Sequence, residues 1–175
     1  MAKKMTRQVV VMSGISGSGK SSLVRRLAEV SSPFKSKKDL PAVIVSADTF
    51  FMQDGVYKFD PSMLGKAHSL CFFQYIEALR AYKGNAIFVD NTNTTVAEIA
   101  PYMLAAEAYD WNVEIITFVS KGIGALTACA ERNRHGVGLH TIGRQDAALV
   151  ILVLPHWWKN TEMPIEFETI FRSSL

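Results

Sequence analysis

Apolar and polar positions follow two rhythms along this chain. Short unbroken apolar runs alternate with longer stretches in which apolar residues recur three and four apart. Val9-Val10-Val11-Met12 predicts a buried strand over Gln8–Ser13, and Leu23, Val24, Leu27 and Ala28 share one face of a helix over Lys20–Glu29. A polar connection from Ser31 to Asp39 leads to a second strand, Ala42–Ser46, followed by Asp48. Thr49–Pro61 reads as a long loop with aromatic anchors at Phe50, Phe51, Tyr57 and Phe59. Asp60-Pro61 opens a helix closed by Gly84-Asn85, and Ala86-Ile87-Phe88-Val89 is a third strand ending at Asp90. A helix over about Val96–Tyr109 contains Pro101, which belongs in a first turn or marks a kink. Thr94 or Thr95 is suited to cap it. Then come a strand over Asn112–Val119, a helix over Ile123–Asn133 and a glycine-rich break at His135–Gly138. Thr141 is expected to cap a helix running to about Leu154, stopped by Pro155, and Pro164–Phe171 reads as a last strand.

Strands that alternate with helices imply a parallel sheet covered on both faces. Ligands of such sheets bind beyond the carboxyl ends of the strands. That is where Asp48, Asp90 and the segment Gly14–Ser21 all fall. This segment, Gly14-Ile15-Ser16-Gly17-Ser18-Gly19-Lys20-Ser21, fills every position of the phosphate-binding loop G-x-x-x-x-G-K-[ST] between a strand and a helix. Glycines let backbone N–H groups converge on a phosphate, Lys20 reaches the β/γ-phosphates, Ser21 offers a hydroxyl to Mg²⁺, and the helix N-terminus adds positive charge. The expected nucleotide-binding residues are Gly14, Ser16, Gly17, Ser18, Gly19, Lys20, Ser21 and Ser22, with ATP and Mg²⁺ as the cofactors.

Composition narrows the picture without redirecting it. The chain has 175 residues, 49% hydrophobic and 20% charged, with a formal net charge of +3. One domain over residues 1–175 is expected, with 1–6 flexible. The mild positive charge permits a polyanionic partner and does not demand one. The basic start carries no apolar signal core, and no apolar stretch reaches spanning length, so a cytoplasmic protein without a membrane partner is expected. Cys71 and Cys129 lie among apolar neighbours and read as buried, reduced thiols.

Further chemistry sits at the strand ends. Asp90 fits a Mg²⁺-binding carboxylate, or caps a turn. Asn91, Thr92 and Asn93 can contact an acceptor or the γ-phosphate, or simply build that turn. Asp48 is suited to orient an acceptor hydroxyl and take its proton, the alternatives being a turn residue or a second metal ligand. Glu131–Gly136, with Arg144 beyond it, supplies positive charge around glycines. This suits a lid closing on ATP, with Arg132 and then Arg134 and Arg144 as nucleotide contacts, or else a solvated basic helix end. His135 and His140 lack a third metal ligand and read as surface histidines. Lys35, Lys37 and Lys38 read as an exposed loop, and Trp157-Trp158 as packing for the C-terminal helix.

From Gln8 to Trp158 the chain resembles the polynucleotide-kinase-like P-loop kinases. These include phage 5′-polynucleotide kinase domains and the P-loop domain of the 2′,3′-cyclic-nucleotide phosphodiesterases. The blocks that carry the resemblance are GISGSGKSS, SADTFF, FDPSMLGKAHSLC, VDNTNTT, PYMLAAEAY and ERNRHGV. It implies a P-loop NTPase three-layer α/β/α fold with about five parallel strands and a helical lid. It also implies catalysis by Asp48 as base with Lys20 and Arg132, and Ser21 on the metal. The acceptor so implied is the 5′-hydroxyl of a polynucleotide. A nucleoside or sugar acceptor, and an adaptor with only slow ATP hydrolysis, are the alternatives. Family members that bind nucleic-acid ends carry an arginine three positions after the base. Phe51 stands there in this chain, on the expected acceptor side.

Overall fold

Runs that are apolar on both faces of the pleat can be buried only between two layers, and the chain builds a sheet sandwiched by helices. The computed structural model describes residues 7–31, 42–82, 84–120 and 123–165. Its main sheet comprises β1 (Gln8–Ser13), β2 (Val43–Val45), β5 (Ala86–Val89), β6 (Asn112–Val119) and β7 (Asn160–Pro164). The order is β2-β5-β1-β6-β7 and every pairing is parallel. Among the described residues five α-helices cover it: α1 (Lys20–Ser31), α2 (Leu64–Ala81), α3 (Val96–Ala108), α4 (Ile123–Arg132) and α5 (Leu139–Val150).

Alternation along the strands divides the core in two. Val9, Val11, Ile87, Val89 and Ile115 face α2 and α3, where Tyr75, Ile99 and Met103 are buried. Val10, Met12, Phe88, Ile116 and Phe118 face the other way, against Val24 of α1, Cys129 of α4 and Ile142 of α5. Cys71 and Cys129 are both buried free thiols. Thr95 caps α3 through a capping box with Glu98, as the Thr-x-x-Glu spacing allows. Pro101 lies inside α3, beyond its first turn.

The segment expected to be a loop, Thr49–Pro61, is mostly ordered into short elements. A 3-10 turn spans Ala47–Phe51, an antiparallel hairpin pairs β3 (Met52–Gln53) with β4 (Val56–Tyr57), and a second 3-10 turn covers Pro61–Met63. Helix α5 begins at Leu139 after Gly138 rather than at a Thr141 cap, and ends at Val150, short of Leu154. The last strand, Asn160–Pro164, precedes the expected one, most of which lies outside the described residues together with 1–6, Lys35, Lys37 and Lys38. Trp158 is buried against the α2/α3 face, whereas Trp157 is exposed. Among the described residues no helix is long and apolar enough to cross a membrane.

Candidate active site

The site lies at the carboxyl edge of the sheet, where β1, β2 and β5 end side by side. Val45 of β2 pairs with Val89 of β5, and the Asp90 N–H donates to the Val45 carbonyl at 2.9 Å. Asp48 and Asp90 therefore leave neighbouring strands on the same edge as the loop after β1. That loop is tied down from three sides. Gly14 N–H donates to the Thr92 carbonyl at 2.8 Å, and Ser16 N–H to Oε1 of Gln145 in α5 at 2.8 Å. Gly17, at φ +78°, lies so close to α4 that a Cβ there would sit 2.0 Å from the Cys129 carbonyl oxygen. Only glycine fits that backbone and that gap. Ser18 is buried, and its N–H donates to the Ile15 carbonyl at 3.2 Å.

Among the described residues, the N–H groups of Gly17, Gly19, Lys20 and Ser21 have no protein acceptor. Those of Gly19, Lys20 and Ser21 are orphan donors of the α1 N-terminus and that of Gly17 belongs to the loop, an arrangement that suits a phosphate. Lys20 Nζ folds into the loop and donates to the carbonyls of Gly14 and Ile15 at 2.9 and 2.7 Å. Burial lowers its pKa to about 8, with the charges of Asp90 and then Asp48 opposing the shift. Ser21 hydrogen-bonds Asp90, whose carboxyl is pushed up by burial against the pull of that bond and of Lys20. Among the described residues no three His, Cys, Asp or Glu side chains cluster. A divalent ion would therefore rest on the Ser21 and Asp90 oxygens plus nucleotide phosphates and water, the habit of Mg²⁺, so the residues present fit that ion. A cavity of about 540 Å³ runs along Gly17, Lys20 and Ser22 to Arg25, Arg132 and Arg134. Arg132 donates through Nε to the Ala128 carbonyl at 3.2 Å.

Asp48 stands across from this loop on the 3-10 turn, its N–H donating to Ser46 Oγ at 3.3 Å. Tyr57 Oη donates to Asp48 Oδ1 at 3.0 Å, and His135 Nε2 lies 3.5 Å from Asp48 Oδ2. Burial, followed by the adjacent Asp48 charge, raises the Tyr57 phenol, so it remains a donor. A cavity of about 310 Å³ joins Ser21, Asp90, Ser46, Asp48 and His135. On the far side of Asp48 opens another of about 540 Å³, walled by Tyr57, Phe59, His68, Thr92 and Arg144.

Several expected site residues lie elsewhere than the sequence indicated. Phe51 is in the core, 2% exposed, because the 3-10 turn swings it inward against Phe50, Tyr57 and Phe59. It is not on the cavity side. Asn91 borders the cavity, but its amide is engaged internally, accepting from Ala47 N–H at 2.9 Å and donating to Tyr102 Oη at 3.3 Å. It holds the turn that carries Asp48. Asn93, at φ +44°, donates to the Met12 carbonyl at 2.8 Å and accepts from Ser13 Oγ through its own carbonyl at 2.8 Å. Its polar groups brace β1. Thr92 alone of that trio lines the cavity without an internal side-chain bond. Arg144 borders the cavity beyond Asp48, not the one along the phosphate loop. His135 is exposed, as expected of a surface histidine, and it also lines all three of these cavities. Its place could have been suspected only from its position between Arg134 and Gly136.

Comparisons with known proteins give the family and the fold. The family profile AAA_33, described as an AAA domain, matches residues 9–148. Human NEDD4-binding protein 2 is 32% identical over 158 residues, covering 90% of this chain and 8% of that protein. The chain thus spans under a tenth of that relative's length. A gluconokinase from Sinorhizobium meliloti 1021 superposes with a TM-score of 0.54 at 15% identity, over 93% of this chain and 85% of that one. Kti12 from Chaetomium thermophilum, solved with ADP-AlF3, superposes with a TM-score of 0.60 at 13% identity, over 91% of this chain and 89% of that one. At these identities the structures share the fold, that of the P-loop kinases.

Proposed function

Because this chain belongs to the AAA_33 family of AAA domains, a P-loop kinase-like family, we propose that it is an ATP- and Mg²⁺-dependent kinase that phosphorylates a hydroxyl, the 5′-hydroxyl of a polynucleotide. One observation carries the reading. Asp48 shares a single cavity with Ser21 and Asp90, and its charge is felt by the buried Lys20. A bare ATPase has little use for a second carboxylate on the acceptor side of its phosphate loop.

In this mechanism the amides of Gly17, Gly19, Lys20 and Ser21 and the Lys20 ammonium hold the phosphates. Ser21 and Asp90 hold Mg²⁺, which when bound neutralises charge on the phosphate oxygens. Arg132 and Arg134 add positive charge from the opposite wall. Asp48 orients the acceptor hydroxyl and accepts its proton as the oxygen bonds the γ-phosphorus. The bond from that phosphorus to the β–γ bridging oxygen breaks, and ADP leaves. Tyr57, Phe59 and Arg144 line the acceptor side, where aromatic faces suit a base and the cation suits an anionic strand.

The test is transfer of labelled γ-phosphate to oligonucleotides bearing a 5′-hydroxyl. Wild-type protein labels them, and Asp48→Ala and Lys20→Ala each lose at least about 10²-fold in rate. Absence of labelling at every length and overhang refutes the polynucleotide acceptor. A second reading, a nucleoside or sugar acceptor, is favoured by the limited size of the acceptor cavity, about 540 Å³. A phosphorylation screen over small hydroxyl compounds separates the two.

A further inference from the structure

The loop after α4 is shaped to deliver one side chain. Asn133 Oδ1 accepts from the backbone N–H of His135 at 2.7 Å and of Val137 at 3.3 Å, closing a tight turn. Gly136 follows at φ +68°, where a side chain would be strained. The turn points His135 across the cleft, and its ring lies against Tyr57 with centroids 4.1 Å apart. Tyr57 is itself anchored. Its ring stacks at 5° to Phe59 and meets the buried Phe51 edge-on at 6.0 Å. A chain of rings thus runs from the core through Phe51 and Tyr57 to His135.

Asp48 sits at the end of that chain. Its side chain is half exposed, so nothing in its own turn fixes the carboxylate plane. Tyr57 holds Oδ1, and His135 is the group beside Oδ2. A carboxylate engaged at both oxygens presents its remaining lone pairs in a fixed direction, which is what abstraction of a hydroxyl proton requires. We propose that His135 is a positioning residue for Asp48, supplied by the Asn133–Val137 turn, so that the base is fully oriented only when this turn lies over the cleft. The proposal rests on the kinase reading, with Asp48 as base.

The test uses the full chain and three substitutions at this position. His135→Ala lowers kcat for transfer roughly 10- to 100-fold, part of the 10²–10⁴ that a positioned base contributes. KM for ATP and the Kd of a fluorescent ADP analogue stay within about twofold of wild type, the split expected of a group acting on the base. His135→Gln, whose amide can still donate, recovers several-fold. His135→Phe, which keeps the ring stack without a donor, stays as slow as alanine. A kcat within twofold of wild type for alanine, full activity for phenylalanine, or a tenfold loss of ADP affinity overturns the proposal. A readout without turnover is the NMR shift of the His135 ring protons, which moves in Asp48→Asn and in Tyr57→Phe. Unmoved shifts overturn the proposal whatever the acceptor. Wild-type transfer rates in Asp48→Ala overturn Asp48 as the base, and absence of transfer by the wild-type protein to any hydroxyl overturns the kinase reading. An inactive Asp48→Ala beside an unaffected His135→Ala overturns this inference alone.

Discussion

Lys20 is the sharpest place to perturb the site, because its function and its folding energetics pull in opposite directions. Lys20 is 7% exposed, and burial lowers its pKa from 10.5 to about 8. In the unfolded chain it keeps its proton up to about pH 10.5, whereas the folded ligand-free protein releases it from about pH 8. Between those limits the unfolded state binds more protons, so stability rises with pH. One unit of pKa is worth about 1.4 kcal/mol, which gives a gain of about 1 kcal/mol by pH 9 and about 3 kcal/mol by pH 10. Beyond pH 10 the buried phenols of Tyr75 and Tyr102, raised by burial, oppose the gain as their unfolded counterparts ionise. Urea unfolding at pH 7, 8, 9 and 9.5 on wild type and Lys20→Gln isolates the Lys20 contribution as a difference of slopes. Polyphosphate beside the ammonium favours its charged form, so nucleotide binding at pH 9 takes up close to one proton. Calorimetry in buffers of different ionisation enthalpy measures that uptake. Identical pH slopes in the two proteins, or no proton uptake at pH 9, would show that the Lys20 ammonium is not destabilised by burial.

Three further outcomes follow from the geometry. Gly17→Ala drives a methyl to 2.0 Å from the Cys129 carbonyl oxygen at φ +78°. It costs about 3 kcal/mol or more and abolishes nucleotide binding, read by thermal melting with and without ADP; wild-type melting and affinity would contradict it. Phe51→Ala empties a core site and costs about 3–5 kcal/mol, while Phe51→Arg fails to fold stably and gains no nucleic-acid affinity, because this position faces the core. Thr95→Ala removes the α3 cap and costs about 1 kcal/mol in urea unfolding, with phosphate transfer per folded molecule unchanged.

Much of the fold was legible because its signals are local. Apolar runs locate β1, β5 and β6, the phosphate-loop spacing fixes the β1–α1 junction, and Thr95-x-x-Glu98 marks the start of α3. The region after Asp48 resisted reading because two-residue strands and single 3-10 turns are too short to carry a period. Phe51 faces the core rather than the acceptor side for the same reason, since a tight turn rather than strand alternation sets the direction of its ring. Asn91 and Asn93 have the composition of ligand-contacting residues, yet their partners Ala47, Tyr102 and Met12 are distant in sequence. His135 is exposed as its sequence context indicates, but nothing near it in the chain signals its contacts with Asp48 and Tyr57. Such long-range pairings are where one-dimensional patterns lose information and where the candidate chemistry is concentrated.

In the proposed mechanism Asp48 receives the acceptor's proton opposite the phosphate loop. The most direct measurement is a crystal structure of the full chain with an ATP analogue, Mg²⁺ and a short 5′-hydroxyl oligonucleotide. The expected complex has an Asp48 carboxylate oxygen within about 3 Å of the 5′-oxygen, with that oxygen in line with the γ-phosphorus and its leaving oxygen. An acceptor hydroxyl bound away from Asp48, or a γ-phosphate directed away from it, rules out Asp48 as the base.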